Sequence, residues 1–484
     1  MCTTVTNVAI DTAAGRRGAA RGKVRHPAVE ERAARGKAAR AGAPRSAHAA
    51  WEPSPDRRAP EDVLLEQAHG AVPELLPIRY GRMLASPFAF FRGAAAVMAG
   101  DLATTPDTRL PVQLCGDAHL SNFGGFGSPE RNLVFDLNDF DETLPGPWEW
   151  DVKRLAASIA IAARERGLSQ RRGLEAVTQT VREYRRAMRR FARMRTLDVW
   201  YARLDERELA AALDSRNGAD AQRFDRTVAK ARTKDSTRAF AKLAFRTNGG
   251  ARISPDPPLI TPVEDLMPAA DAEDLNEAME TVVGRYRDTL SVDRRRLLDR
   301  YRYVHAARKV VGVGSVGTRA WVLLLLGRDH SDPLFLQAKE AEPSVLEPYA
   351  GAGEFDNQGR RVAEGQRLMQ ASSDIFLGWL RAEGVDGEER DFYVRQLWDW
   401  KASADLERIS PKALGIYARL CAWTLARAHA RTGDPVAIAE YLGSGEAFDK
   451  AVAAFAEAYA DQNDRDYRAF VDAIDAGRIQ ADEA

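Results

Sequence analysis

The chain has 484 residues, with 70 Lys/Arg balanced by 70 Asp/Glu; that length allows two lobes and a large buried core, and the ordinary apolar content with high charge fits a globular protein in water. The balance is uneven, because residues 1–60 carry twelve Lys/Arg against five Asp/Glu and leave the remainder acidic by seven, so no folded part has the basic footprint of a specific nucleic-acid binder. Cys2, Cys115 and Cys421 are too few and too scattered for a disulfide framework and favour a reducing compartment; no apolar run is long enough to span a membrane and the N-terminus lacks a signal-peptide core, which makes the cytoplasm the expected location.

In chain order, residues 1–60 are rich in Ala, Arg, Gly and Pro with little apolar periodicity, and read as a disordered basic tail. Order is expected from Pro60, with helices over 61–102 and the Phe88, Phe90, Phe91 cluster in the core. Leu110 to Cys115 and Asn132 to Phe135 read as buried strands joined by a glycine-bearing loop. From Trp150 to about Val310 the pattern is largely helical, interrupted by turn chemistry at 248–263. Residues 309–338 read as strands around a glycine-rich turn, 358–372 as a helix, 374–381 and 391–398 as two more strands, and everything from Pro411 as helix. The expected units are therefore 61–308, a helical lobe with a helical insert; 309–402, a strand-rich lobe; and 403–484, helices packing back on the first.

Two stretches concentrate polar chemistry. Leu114-Cys115-Gly116-Asp117-Ala118-His119-Leu120-Ser121-Asn122 and Val134-Phe135-Asp136-Leu137-Asn138-Asp139-Phe140-Asp141 each run from an apolar strand into an acidic loop, and loops on a rigid scaffold are where chemistry is commonly placed. Phosphoryl transfer asks for one carboxylate to orient the attacking hydroxyl, and for an Asn and a second Asp to hold magnesium. Magnesium keeps several waters, so one or two carboxylates with an amide suffice. Asp117 and Asn122 have the D-x-x-x-x-N spacing of kinase catalytic loops.

On these residues the text resembles the aminoglycoside-phosphotransferase-type kinases, whose loop reads H-G-D-x-x-x-x-N. More closely, about 60–480 resembles a bacterial domain-of-unknown-function family through CGDAHLSNFG, FDLNDFDET and WEWDVKRLAAS. The resemblance implies that Asp117 is the catalytic base, that Asn122 and Asp136 are metal ligands with Asp139 and then Asp141 as competitors, and that Asp151 braces the lobe. Cys115 departs from the kinase pattern, which has His there. His429, on the 420–430 helical stretch, reads as helix surface or lobe packing.

Gly312-Val313-Gly314-Ser315-Val316-Gly317 is a G-x-G-x-x-G. The stretch after it, Ala320 to Leu326, reads as a strand rather than the helix a dinucleotide fold needs. A glycine loop between antiparallel strands resembles the kinase arrangement, in which backbone N–H groups cover the phosphates. The next strand ends in Gln337-Ala338-Lys339, similar to the kinase lysine strand, with Glu364 as its expected partner and Glu347 as the alternative. The implied fold is α+β: a two-lobed kinase-like protein in permuted order, with a five-stranded antiparallel nucleotide lobe and a mainly helical catalytic lobe. ATP and Mg²⁺ are the implied cofactors and a hydroxyl compound the acceptor, with Lys339 and Asp136 expected to face one cleft. Two other readings of the same residues are a nucleotide-binding module without turnover and a metal-dependent phosphoesterase built on Asp117 and His119.

Overall fold

The computed structural model describes residues 26–482 apart from 213–225, 227, 248–249, 268–271, 311, 315, 385 and 398–399. The chain is α+β, with helix predominating. A helical body is built from Trp148–Glu165, Gln170–Phe191, Pro411–Thr432 and Ala447–Asp475, which pack on one another. The first of these is buried from Trp148 to Ala163, Glu149, Asp151, Lys153 and Arg154 included, because the other three helices pack against it. Glu149 and Asp151 sit in its first turn, where the helix dipole favours acids. It ends at Gly167, whose φ of 67° and 5→2-type bond to Arg164 O close the last turn. Trp148 stacks on Tyr184 at 5.6 Å, tying the first two helices together.

Short strands lie on this body. β1 (Pro111–Leu114) pairs with β4 (Leu144–Pro147), while β2 (Phe123–Gly127), β3 (Leu133–Leu137) and β5 (Leu204–Asp205) form a three-stranded sheet. β6 (Ala244–Thr247) and β7 (Gly250–Ile253) make a hairpin. The largest sheet is antiparallel and six-stranded, not five-stranded as expected. It contains β8 (Ile260–Pro262), β9 (Arg302–Lys309), β10 (Ala320–Leu326), β11 (Pro333–Glu340), β12 (Gly378–Glu383) and β13 (Glu389–Gln396), in the order β12-β13-β11-β10-β9-β8. The extra strand reads as turn because Pro257, Pro258 and Pro262 surround it. It pairs with β9 as a three-residue edge, a position where proline is tolerated.

β10 is aliphatic throughout because both sheet faces are covered. Leu323 and Leu325 point into a core with Tyr286, Leu290 and Leu298, whereas Val322, Leu324 and Leu326 meet Ala239, Leu243 and the β7 residue Ile253. The helices between 236 and 298 thus pack on this sheet, and not on the helical body to which the sequence assigns them. The C-terminal helices pack on the Trp148 and Gln170 helices.

Of the tail expected over 1–60, residues 1–25 lie outside the described residues, whereas 26–60 contain a helix and a 3-10 turn packed on the C-terminal helices. Val29–Gly42 is a helix docked on Pro435–Leu442. Its composition hides the docking, which uses backbone and Arg-to-carbonyl contacts in place of an apolar stripe. Gly36 lies so close that a Cβ would meet Ala437 O at 2.0 Å. Arg40 donates to Tyr441 O at 3.0 Å, Arg45 to Leu442 O at 2.9 Å, and the buried His48 ring meets Tyr441 Oη at 2.7 Å.

Candidate functional site

The loop after β1 is set by its glycine and by a buried brace. Gly116 has φ 85°, and a Cβ there would meet Glu142 O at 2.3 Å, so only glycine fits. Asp151 accepts Cys115 N at 2.7 Å and Gly116 N at 2.9 Å. His429 Nε2 meets the same carboxylate at 3.1 Å and its Nδ1 meets Tyr184 Oη at 2.8 Å. His429 is fully buried, so it belongs to lobe packing and not to the helix surface. The acidic loop after β3 lies alongside: Cys115 Sγ donates to Asp139 O at 3.3 Å and Asn138 N to Asn122 O at 3.0 Å. Cys115 therefore joins the two loops from the place a kinase gives to His.

The D-x-x-x-x-N spacing does bring its ends together. Asn122 Nδ2 donates to Asp117 O at 2.8 Å, so the amide oxygen is what Asn122 can offer a cation. Arg154, one turn beyond Asp151 on the same helix, donates to Asp117 Oδ1 at 2.8 Å and to Phe91 O at 2.7 Å. Burial pushes the Asp117 carboxyl up, but His119, Arg154 and Arg92 together hold it below its ordinary value. Burial takes His119 down to about 3, so that ring is neutral at pH 7 and the two arginines supply the lasting charge.

Asp136 is not part of this arrangement. It is 1% exposed and spent on Arg427, Leu137 N and Ala371 N. As a strand residue it follows the pleat into the helical body, whereas Asp139 and Asp141 lie past the strand end and are free to turn toward the cavities. The expected Lys339/Asp136 convergence is replaced by Lys339 with Asp141 and Asp139. Lys339, at 4% exposure, bonds Asp141 Oδ2, and Tyr393 Oη donates to Asp141 Oδ1 at 2.9 Å. Burial works to lower the Lys339 ammonium, and Asp141, Tyr393 and Asp139 more than reverse it, so the amine is held charged. Burial, then the neighbouring Asp141 charge, raises Asp139, whose Oδ1 is buried with no hydrogen-bond partner.

Glu364 does not reach Lys339; it accepts from Arg367 on its own helix at 3.1 Å. The helix Gln358–Met369 turns Gln366 to the cavity, followed by Gln370 just past its end, and a residue two positions before Gln366 is more than half a turn away. Arg361 on that helix instead donates to Asp141 O and Glu342 O, both at 2.8 Å, buttressing the acidic loop.

The glycine loop joins β9 to β10. Gly312 and Gly317 have φ of 71° and 104°, and Ser315 lies outside the described residues. Gly312, Gly314, Asp117, Asn122 and Asp139 line a cavity of about 150 Å³. Gly312, Asp139, Lys339, Gln366 and Arg395 line an adjoining one of about 340 Å³, the size of a small-molecule site. Gly312 and Asp139 belong to both, so the two cavities adjoin at these residues. Among the described residues no group of three or more His, Cys, Asp or Glu side chains is arranged to hold a metal ion. The donors that suit magnesium are the orphaned Asp139 oxygen and the Asn122 amide, one carboxylate with one neutral oxygen, which leaves room for waters. Arg79, Arg92, Arg154 and Arg395 do not stand out in the sequence. Only Arg154 carries a signal there, its one-turn spacing from Asp151.

The fold and cleft define a helix-rich α+β protein whose polar site lies where a helical body meets an antiparallel sheet. Residues 71–473 match the family described as "Uncharacterized protein conserved in bacteria (DUF2252)", and the chain belongs to that family. No curated protein and no solved structure matches the chain. Among the described residues no helix is long and apolar enough to cross a membrane.

Proposed function

We propose that the chain is an ATP- and magnesium-dependent phosphotransferase with a kinase-like constellation in permuted chain order, moving the γ-phosphate to a hydroxyl acceptor. The observation that carries the reading is a spatial convergence. Lys339, the glycine loop, Asp117, Asn122 and Asp139 come from distant parts of the chain and line two adjoining cavities that share Gly312 and Asp139. Chain order matters less to catalysis than this convergence.

The Lys339 ammonium and the loop amides bind the phosphates, and Asn122 and Asp139 are the residues that would hold magnesium, which when bound neutralises phosphate charge. Asp117 orients the acceptor. As the acceptor oxygen bonds to the γ-phosphorus and the bond to the β–γ bridging oxygen breaks, ADP leaves and the hydroxyl proton passes to Asp117. A second reading, nucleotide binding without turnover, is favoured by one observation: Arg154 occupies Asp117 Oδ1 and, with Arg92, weakens that carboxylate as a base.

Calorimetric titration of ATP with magnesium into wild type, Lys339→Ala, Asp139→Asn and Asp117→Asn tests both. Lys339→Ala is expected to weaken binding by about tenfold or more, a loss of about 1.4 kcal/mol. Asp139→Asn should lose the magnesium dependence, and Asp117→Asn should bind normally without consuming ATP. Undiminished affinity in Lys339→Ala sinks the proposal; tight binding by wild type with no ATP consumed across a panel of hydroxyl acceptors selects the second reading.

A further inference from the structure

Two arginines in the first cavity have nothing to hold. Arg79 comes from the helix Leu76–Leu84 and Arg92 from Pro87–Gly93, and both line the space that contains Asp117 and the glycine loop. Arg79 is 6% exposed. Neither side chain makes a hydrogen bond or ion pair among the described residues, and the Nε of each is buried without a partner. Among the described residues the other buried arginines each hold at least one partner: Arg154 has Asp117 and Phe91 O, Arg427 has Asp136 although its Nη1 is unmatched, Arg185 has Asp449, and Arg361 has backbone carbonyls. Arg79 is buried and Arg92 half-buried, and a buried guanidinium nitrogen without a partner is costly to the folded state, so an unmatched pair lining one cavity calls for a ligand.

The surroundings say which ligand. The acids that act on the pair, Glu342 and Glu142 for Arg79 and Asp117, Asp139 and Glu407 for Arg92, do so at a distance, and none forms a hydrogen bond or ion pair with either guanidinium. Asp117 is taken by Arg154, and Glu142 by Val345 N and Ser344 Oγ. The helices that carry the pair are also fastened to the glycine loop. Arg82 donates to Gly312 O at 2.6 Å, Val72 N to Gly317 O at 2.8 Å, and Gly314 abuts Arg92 O so closely that a Cβ would sit 3.2 Å from it. Two planar forks of N–H donors thus open beside the loop amides, a donor set suited to a tetrahedral oxyanion.

We infer that Arg79 and Arg92 form a phosphate-binding pair in the first cavity. The assignment of a source for that phosphate rests on the phosphotransferase reading; the pair itself does not. The shared chemistry is a phosphoryl oxyanion, supplied either by the terminal phosphate of the nucleotide or by a phosphate already on the acceptor.

The test measures binding of inorganic tripolyphosphate, inorganic phosphate, ATP and AMP to the full chain and to Arg79→Met, Arg92→Met, Arg79→Lys and Arg92→Lys, with ligand-free melting followed in parallel. The Met variants should bind tripolyphosphate or phosphate at least about tenfold more weakly while melting no lower than wild type, because an unpaired buried charge has been removed. The Lys variants, which keep the charge and lose the fork, should fall between. A drop in ATP but not AMP affinity assigns the pair to the terminal phosphate of the nucleotide; unchanged ATP affinity with lost phosphate binding assigns it to the acceptor. Wild-type binding of tripolyphosphate without ATP binding removes the phosphotransferase reading and leaves the pair standing. If all four variants bind every probe as wild type does, or if the Met variants lose stability yet keep binding, the arginines are structural and the inference is overturned.

Discussion

Glu142 shows how one residue at the edge of this cleft sets a pH dependence. Its carboxyl accepts Val345 N at 2.8 Å and Ser344 Oγ at 3.1 Å. Burial pushes it up to about 7, with Arg361 and the Val345 amide pulling the other way and Asp141 and Asp117 adding to the rise. The native state therefore keeps a proton that the unfolded chain releases above its ordinary value of 4.5. Stability from this group is fully present below that value and is lost as pH rises toward 7. Allowing for partial exposure, the loss is about 2 kcal/mol. Glu142→Gln keeps an acceptor for both donors and cannot titrate. Urea denaturation of the two proteins from pH 5 to 8 should show wild type losing stability relative to the variant by about that amount. His48 and His119, each taken down to about 3 chiefly by burial, act with the opposite sign and destabilise the fold as pH falls below 6.5; they cancel in the comparison. Parallel curves would mean that Glu142 is already ionised in the native protein.

At the scale of elements, the Val29–Gly42 helix offers the sharpest test of an ordered N-terminal region. Gly36→Ala puts a methyl group into the backbone of Ala437, which cannot withdraw as a flexible side chain could, whereas at Gly42 on the same helix a methyl meets nothing within 4 Å. Gly36→Ala should cost about 2 kcal/mol and expose 26–50 to protease; Gly42→Ala should be neutral or stabilise by about 0.5 kcal/mol. Equal behaviour of the two would show that the helix is not docked in solution. The same helix marks the limit of what was legible. Continuous aliphatic runs around Leu323 and Leu336 announce the two strands that follow the glycine loop, because burial on both faces leaves a strong imprint on composition. The D-x-x-x-x-N pair was legible because short spacing forces proximity. Asp136, Asp139 and Asp141 were distinguishable only once Arg427, far along the chain, claimed the first of them. Glu364 failed for a related reason: helical phase fixes which residues share a face, but not which face meets the sheet. Arg79 and Arg92 had no signal at all, since an absent partner leaves no pattern.

For the whole molecule, the decisive property is that segments remote in the chain are fastened to one another around the cleft. Arg82 and Val72 hold the glycine loop from one side. Lys339 on β11 reaches Asp141 in the loop after β3, and Arg395 on β13 donates to Asn138 O at 3.0 Å. Elsewhere Arg57 ties Asp101 at 2.6 Å and Asp466 at 2.6 Å, joining the N-terminal region to the last helix. A phosphate chain bound between the glycine loop and the acidic loops would rigidify both, because each lines the same space. Titration of ATP with magnesium, followed by amide hydrogen exchange, should slow residues 312–318 and residues 116–122 together, with a single midpoint equal to the calorimetric one. Lys339→Ala should move both midpoints by the same factor, since one equilibrium governs them. Protection confined to one segment, or two midpoints that separate, would mean that the loops serve different ligands, and the chain would then contain two sites where the proposed chemistry needs one.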